Sequence, residues 1–288
     1  VFDSLKNLAT AKKREIGPRA NQLKKEVESL IGARLKEFTR TTTKTTKVDI
    51  TRPGKKAEIG HLHPLTLVEE EIRNIFAKMH FSVADGPEIE TEFYNFTALN
   101  IPENHPSRDM WDTFWLQQTD VRYQRLLLRT HTSPVQIRYM ETHNPPFQII
   151  APGRTYRYEA TDRTHDSQFS QFEGLMVGKN ISIANFKQVI GLFFNQFFGK
   201  NTEFELRPAY FPFVEPGWEV YLKWGKEWLE IAGAGMVHPR VFEAVHYNPR
   251  EWQGFAFGSS IERLAMIKYK VDDIRLLNSG DLRFIKQF

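Results

Sequence analysis

The sequence predicts an α+β fold carrying an N-terminal helical arm, and three stretches predict it. Two alternating runs, Arg154–Arg157 and Gln168–Glu173, flank a turn-rich middle, Ala160–Asp166, which is the pattern of an antiparallel hairpin with a charged tip. Ile183–Phe198 is a Phe-rich run with helical spacing, apolar around too much of its circumference for a surface helix, so it is expected to be buried between a sheet and another layer. Leu23, Val27, Leu30, Ile31, Leu35 and Phe38 recur at three- and four-residue steps on a mostly basic segment, the signature of an amphipathic helix.

Bulk properties limit the alternatives. At 288 residues, 41% hydrophobic and 13% aromatic, the chain has enough apolar surface for a large core plus an appendage. No apolar run approaches membrane-span length. Cysteine is absent, which removes disulfides, thiolate catalysis and Cys-based zinc sites, and fits a reducing, cytoplasmic compartment. Net charge is +4, and residues 1–47 hold twelve Lys and Arg against five Asp and Glu, so the positive surplus lies in the arm. Such an arm can pack on another helix and turn its basic side to phosphates.

Taken in order, the elements are as follows. Pro18 suits a first helical turn of the arm. The Thr-rich run 39–46 ends the stripe as a linker, and 48–51 reads as a short strand closed by Pro53-Gly54. Thr66-Leu-Val-Glu69 has capping-box spacing and opens a helix with an apolar stripe from Leu65 to Met79, stopping near His80. Phe81–Ala84 and Glu88–Asn95 read as extended, bent at Asp85-Gly86-Pro87. Residues 98–115, dense in Pro, His, Trp and Asn, read as a functional loop packed by its own aromatics.

Leu126–Leu128 is a strand leading to Arg129-Thr-His-Thr-Ser-Pro134, and Val135–Glu141 has helical spacing. His131 and Ser133 raise the thought of a hydrolase, but no Gly-x-Ser-x-Gly elbow is present, so they read as hydrogen-bonding groups lining a pocket. In the hairpin, Arg157 and Glu159 share a face, as do Phe169, Gln171 and Glu173, offering an anion clamp, an amine acceptor and an aromatic platform in one space. Phe204–Arg207 and Trp228–Ile231 are strands. Between them, Pro212 fixes the backbone so that Phe211 and Phe213 face one cavity suited to an aromatic ligand. Ala232-Gly-Ala-Gly235 strips side chains where something approaches the backbone. Finally, a strand ends at Gly258 and a helix starts near Ser259, with amides that favour an anion and Arg263 one turn in.

Pro87 after a long helix, the Arg157/Glu159 hairpin and the GFAFG…ER helix start resemble motifs one, two and three of class II aminoacyl-tRNA synthetases. The strings HPSRDMWDTFWL, LLLRTHTSP, PGRTYRYEATDRTHD, YFPFVEPG, GAGMVHP and GFAFG, spread from about Val48 to the C-terminus, resemble the α-subunit family of bacterial phenylalanyl-tRNA synthetases. The resemblance implies a catalytic domain over 48–288 with a six- or seven-stranded antiparallel sheet flanked by helices, and an arm over 1–47 similar to part of that family's coiled coil. It implies an (αβ)2 assembly with a β subunit, and substrates L-phenylalanine, ATP and tRNA(Phe), with Mg²⁺.

By the same resemblance, Arg157 meets the ATP α-phosphate, Glu159 the adenine amino group and His165 the outer phosphates, while Phe169 and Arg263 sandwich the adenine. Trp111, His131, Ser133, Gln136, Gln171 and Glu173 surround the polar end of the amino acid. Phe211, Phe213, Val214 and Ala256 enclose its ring, and Glu215 matches a magnesium ligand. Ser260 stands where the family usually has Gly. Two other classes remain open: a non-catalytic RNA-binding paralogue, which the intact Arg157, Glu159, Glu173 and Arg263 set argues against, and a single-chain organellar enzyme, which needs a further anticodon-binding domain.

Overall fold

The computed structural model describes residues 9–41, 51, 54, 60–108, 111–122 and 124–288. The chain forms two compact units, Val1–Ile59 and Gly60–Phe288.

Among the described residues of the first unit, helix α1 (Thr10–Thr41) carries the basic arm. Pro18 does not open it: the helix begins eight residues earlier and runs through the proline, which has no N–H to donate to the preceding turn. The expected stripe is there, with Leu23, Val27, Leu30, Ile31, Leu35 and Phe38 all exposed. The expected strand at 48–51 and most of the linker fall outside the described residues, and Thr51 itself lies in a turn.

The second unit opens with α2 (Pro64–Lys78). Its N-cap is His63, not Thr66: the imidazole Nδ1 accepts from Leu65 N–H at 3.2 Å, and Pro64 takes the first helical position, where a missing donor costs nothing. Strands β1 (Ser82–Val83) and β2 (Ile89–Thr91) follow. The extended run expected to reach Asn95 stops at Thr91, whose hydroxyl caps a helical turn, Glu92–Asn95. The aromatic loop holds two short 3₁₀ turns and ends in β3 (Trp115–Thr119), which hairpins onto β4 (Arg125–Leu128). These strands make a small sheet in the order β2-β4-β3. A two-pronged ion pair, Arg138 Nε and Nη2 to the buried Glu90 at 2.6 and 2.7 Å, ties it to α3 (Pro134–Thr142).

The main sheet is built from β5 (Phe147–Tyr156), β6 (Gln168–Gly178), β7 (Phe204–Phe211), β8 (Val214–Trp224), β9 (Glu227–Val237) and β10 (Gln253–Ser260). Helix α4 (Ile183–Phe197) precedes β7 and helix α5 (Ile261–Tyr269) follows β10, one to two residues later than expected. The order is β1-β5-β6-β10-β9-β8-β7. Every pairing is antiparallel except β1 with β5, which is parallel, so the sheet is mixed rather than purely antiparallel.

Side-chain alternation divides this sheet into two faces. One presents Phe172, Phe255 and Phe257 to α2, α4 and α5, where they meet Phe76, Phe186 and Phe193 in an aromatic core; Phe76 and Phe193 stack with centroids 5.1 Å apart. Helix α4 buries Phe186, Ile190, Phe193, Phe194 and Phe197 against the sheet, but Lys187, Gln188, Leu192 and Gln196 are exposed, so it is a half-buried helix and not the enclosed one its composition predicts. The other face carries Gln171, Glu173, Ala256, Gly258 and Ser260 on adjacent strands. Gly174 shows how tightly the aromatic face is filled: a Cβ there would come 2.2 Å from Cε1 and Cζ of Phe257.

Gly174→Ala should lower stability by about 1–3 kcal/mol through overpacking against Phe257. Denaturant unfolding reads this directly, and Phe257→Leu in the same chain should recover part of the loss.

Candidate active site

On the polar face a cavity of about 430 Å³ opens over the middle of the sheet. Its walls come from the loop before β3, the segment between β4 and α3, the β5–β6 hairpin, the β7–β8 turn, β9, and the β10–α5 junction. Of the residues singled out in the sequence, Trp111, His131, Ser133, Arg157, Glu159, His165, Phe169, Gln171, Glu173, Phe211, Phe213 and Arg263 all line it.

At one end lie the charges. Arg157 and Glu159 stand just beyond the end of β5, 3.8 Å apart, and the Arg157 guanidinium lies 5.1 Å from the Phe169 ring centre. Arg157 Nε donates to Thr130 O at 3.1 Å, which aims the remaining N–H groups at the cavity. Burial lowers its pKa, yet it starts from so high a value that it stays charged. Opposite, Arg263 Nε donates to Glu230 O at 3.2 Å. His165 is exposed beside Asp162 at 3.1 Å, in a loop fastened by Ile274 N–H to Arg163 O and by Asn278 to Asp166.

The other end is aromatic and nearly neutral. Trp111, His131 and Phe213 meet with ring centres 4.9 to 6.3 Å apart, and Phe211 stacks on Phe213 at 6.0 Å. Gly233 makes room for that stack, since a Cβ there would come 3.1 Å from Phe211 Cζ. Both ring nitrogens of His131 are buried without a hydrogen-bond partner among the described residues. Burial, with Arg157 and Arg129 adding to it, pushes its pKa down to about 3, so the imidazole is neutral. Both nitrogens lie beneath the accessible surface of the cavity wall, so their lack of a partner is a cost in the free protein.

Glu173 sits at the floor. It accepts from Ser133 Oγ, and from Gln136 Nε2 at 2.8 Å. Burial still dominates and lifts its pKa to about 7, with the two hydrogen bonds and Arg129 acting against the rise.

Four predicted residues do not line the cavity. Gln136 stands behind Glu173 as its donor. Val214 and Ala256 are buried one layer below the rings, in the cluster that Phe211, Phe213 and Trp111 pack upon. Glu215 has a side chain 76% exposed and faces only His238 Nε2, at 3.4 Å. The amides at the start of α5 are not open to an anion either: Ser260 Oγ accepts from Arg263 N–H, and Glu262 lies buried beside it.

Conversely, the structure brings in Glu230, Thr164, Asp166 and Met266. Glu230 is two residues before the glycine-rich run of β9, and its direction depends on strand pairings that no local motif spells out. Among the described residues no group of three or more His, Asp or Glu could hold a metal alone. A phosphate-borne Mg²⁺ needs only one or two carboxylates. Glu230, on the cavity wall beside Arg263, fits that need; Glu215 lies off the cavity.

The comparisons agree with this geometry. Residues 47–288 match the family model of the tRNA synthetases class II core domain (F), and residues 1–45 that of the aminoacyl tRNA synthetase class II N-terminal domain. The pyrrolysyl-tRNA synthetase of Desulfitobacterium hafniense has the same fold, with a TM-score of 0.59 at 19% identity over 96% of this chain and 86% of that one. Fold and cavity thus define a class II aminoacyl-tRNA synthetase core. Phenylalanine–tRNA ligase alpha subunits from Geotalea daltonii and Thermotoga neapolitana are each 47% identical, covering 100% of this chain and 88% of theirs. That of Dehalococcoides mccartyi is 45% identical over 99% of this chain and 88% of its own. The chain belongs to the family of phenylalanine–tRNA ligase alpha subunits.

Glu173 links the cavity to stability. Its folded pKa is raised, so the contribution is fully present below about pH 4.5 and is lost as pH rises through about 7. Glu173→Gln carries no charge to bury. Its melting temperature should exceed that of the parent at pH 8, by the equivalent of about 3 kcal/mol at most, and the advantage should vanish below pH 4.5.

Proposed function

We propose that this chain is the catalytic subunit of a phenylalanine–tRNA ligase, condensing L-phenylalanine with ATP to phenylalanyl-adenylate and passing the phenylalanyl group to tRNA(Phe). One observation carries the reading: a single cavity is lined by the guanidinium groups of Arg157 and Arg263 with the Phe169 ring, and also by a cluster of aromatic rings with the buried Glu173 carboxylate.

The reaction needs no protein nucleophile. The carboxylate of phenylalanine attacks the α-phosphorus, pyrophosphate leaves, and catalysis consists of alignment and positive charge on the developing pentavalent centre. Arg157 supplies charge at that centre, and Arg263 supports the outer phosphates and one face of the adenine. Phe169 supports the other face, Glu159 accepts from the adenine amino group, and His165 stands near the outer phosphates. Glu173, Ser133 and Gln171 receive the ammonium group, and the orphaned nitrogens of His131 gain partners there. Phe211 and Phe213 hold the ring, with Trp111 closing the polar end and Val214 and Ala256 setting the depth from behind. Mg²⁺ carried by ATP would neutralise the outer phosphates, with Glu230 as the fitting ligand in this chain.

The name alpha subunit, borne by the relatives, supports a β partner; the proposal extends this to an (αβ)2 assembly at work in the cytoplasm. No helix among the described residues is long and apolar enough to cross a membrane. The arm, with its exposed aliphatic stripe and basic surplus, would pack on a second helix and lie along tRNA phosphates.

Pyrophosphate exchange tests the reading. The chain, co-expressed with its β partner, should exchange pyrophosphate into ATP only when phenylalanine is present; no such exchange would defeat it. Arg157→Ala should lower the exchange kcat by at least about 10²-fold. Because the ammonium group needs ionised Glu173, the KM for phenylalanine should rise as pH falls below about 7.

A further inference from the structure

Strand β10 ends before its neighbour does. Its ladder with β6 closes at Ser260 opposite Gln171, but β6 begins three residues earlier, at Gln168. On the other side, β5 covers those residues, with Arg154 opposite Ser170 and Thr155 opposite Phe169. On the β10 side the backbone has already turned into α5, leaving the Ser170 N–H without a strand to pair with. A side chain takes that place. Glu262 Oε1 accepts from Ser170 N–H at 2.7 Å.

Glu262 is the second residue of α5 and only 1% exposed. Its other oxygen accepts from Ser260 Oγ at 3.2 Å, and Ser260 Oγ in turn accepts from Arg263 N–H at 3.2 Å. Only hydrogen bonds offset the burial of this carboxylate, which lifts its pKa to about 7. A buried acid without a cation is costly to keep, so it needs a use. None of the catalytic contacts described above employs it.

Its neighbours supply the use. Phe169 precedes Ser170, and Arg263 follows Glu262; both line the cavity. One carboxylate therefore fixes the backbone beside each jaw of the adenine clamp, and a charged acceptor makes that link stronger than a neutral one. We propose that Glu262 and Ser260 are positioning residues that set the gap between Phe169 and Arg263, and with it the hold on the adenine of ATP. This rests on the phenylalanine–tRNA ligase reading above. It also gives Ser260 a part: its hydroxyl completes the path from Arg263 to Glu262, a part no glycine could play.

The test is exchange kinetics on the α chain with its β partner. Glu262→Ala should raise the KM for ATP about tenfold and leave the KM for phenylalanine within roughly twofold. Glu262→Gln keeps an acceptor for Ser170 and should recover most of the loss. Ser260→Ala should raise the KM for ATP about threefold, and it carries the test if Glu262→Ala does not fold. A general structural role would move both KM values together, and that result overturns the proposal. So does a Glu262→Gln as impaired as Glu262→Ala, or a Ser260→Ala with unchanged KM for ATP. A parent enzyme without phenylalanine-dependent exchange would instead defeat the underlying functional reading.

Discussion

The structure depends on the pairing of β6 with β10. Eight residues of each strand face each other, from Gln253 opposite Gly178 to Ser260 opposite Gln171. This register joins the hairpin that carries Arg157, Phe169, Gln171 and Glu173 to the junction that carries Ser260 and Arg263. A slip by one residue would turn Gln171 and Glu173 into the aromatic core and Phe172 into the cavity. Such a slip is blocked from the core side, where Phe172 and Phe257 interlock with Phe76, Phe172 with Phe193, and Phe255 with Phe186. Packing on one face of the sheet thus sets the chemistry on the other.

The cavity and its wall hold buried polar groups that lack full pairing among the described residues. His131 keeps two ring nitrogens without partners, and Thr132 Oγ1 is a third buried orphan beside it. Glu173 is buried with a pKa well above the usual carboxylate range. Each is a cost in the free protein that binding can relieve. The region that deviates from full hydrogen bonding is the region where an ammonium group and a carboxylate are proposed to sit.

Much of this was legible in the residues themselves. The hairpin, the helical spacing of the Phe-rich run and the facing of Phe211 and Phe213 into one cavity each follow from spacing, and the motif strings point Arg157, Phe169 and Arg263 to one cavity. What failed was local in a different way. Pro18 was read by its commonest position, though an exposed helix can run through it. Thr66 and Glu69 fit a capping box, but His63 and Pro64 start the helix first, and only an imidazole turned toward Leu65 reveals it. Glu230 and Glu262 escaped notice because their roles arise from which strand lies beside them, and pairings between distant segments leave no mark in local spacing.

The glycines of β9 have a wider meaning. A Cβ on Gly233 would press on Phe211, and one on Gly235 would come 2.5 Å from Val214 Cβ. The strand acts as a blank wall against which the rings are fitted. Amino-acid preference is therefore written on one side of the slot only, by side chains that can be trimmed or exchanged. Attempts to redesign the enzyme for bulkier or differently shaped amino acids have room to work at those side chains, while Gly235 admits no addition and Gly233 admits one only if Phe211 gives way.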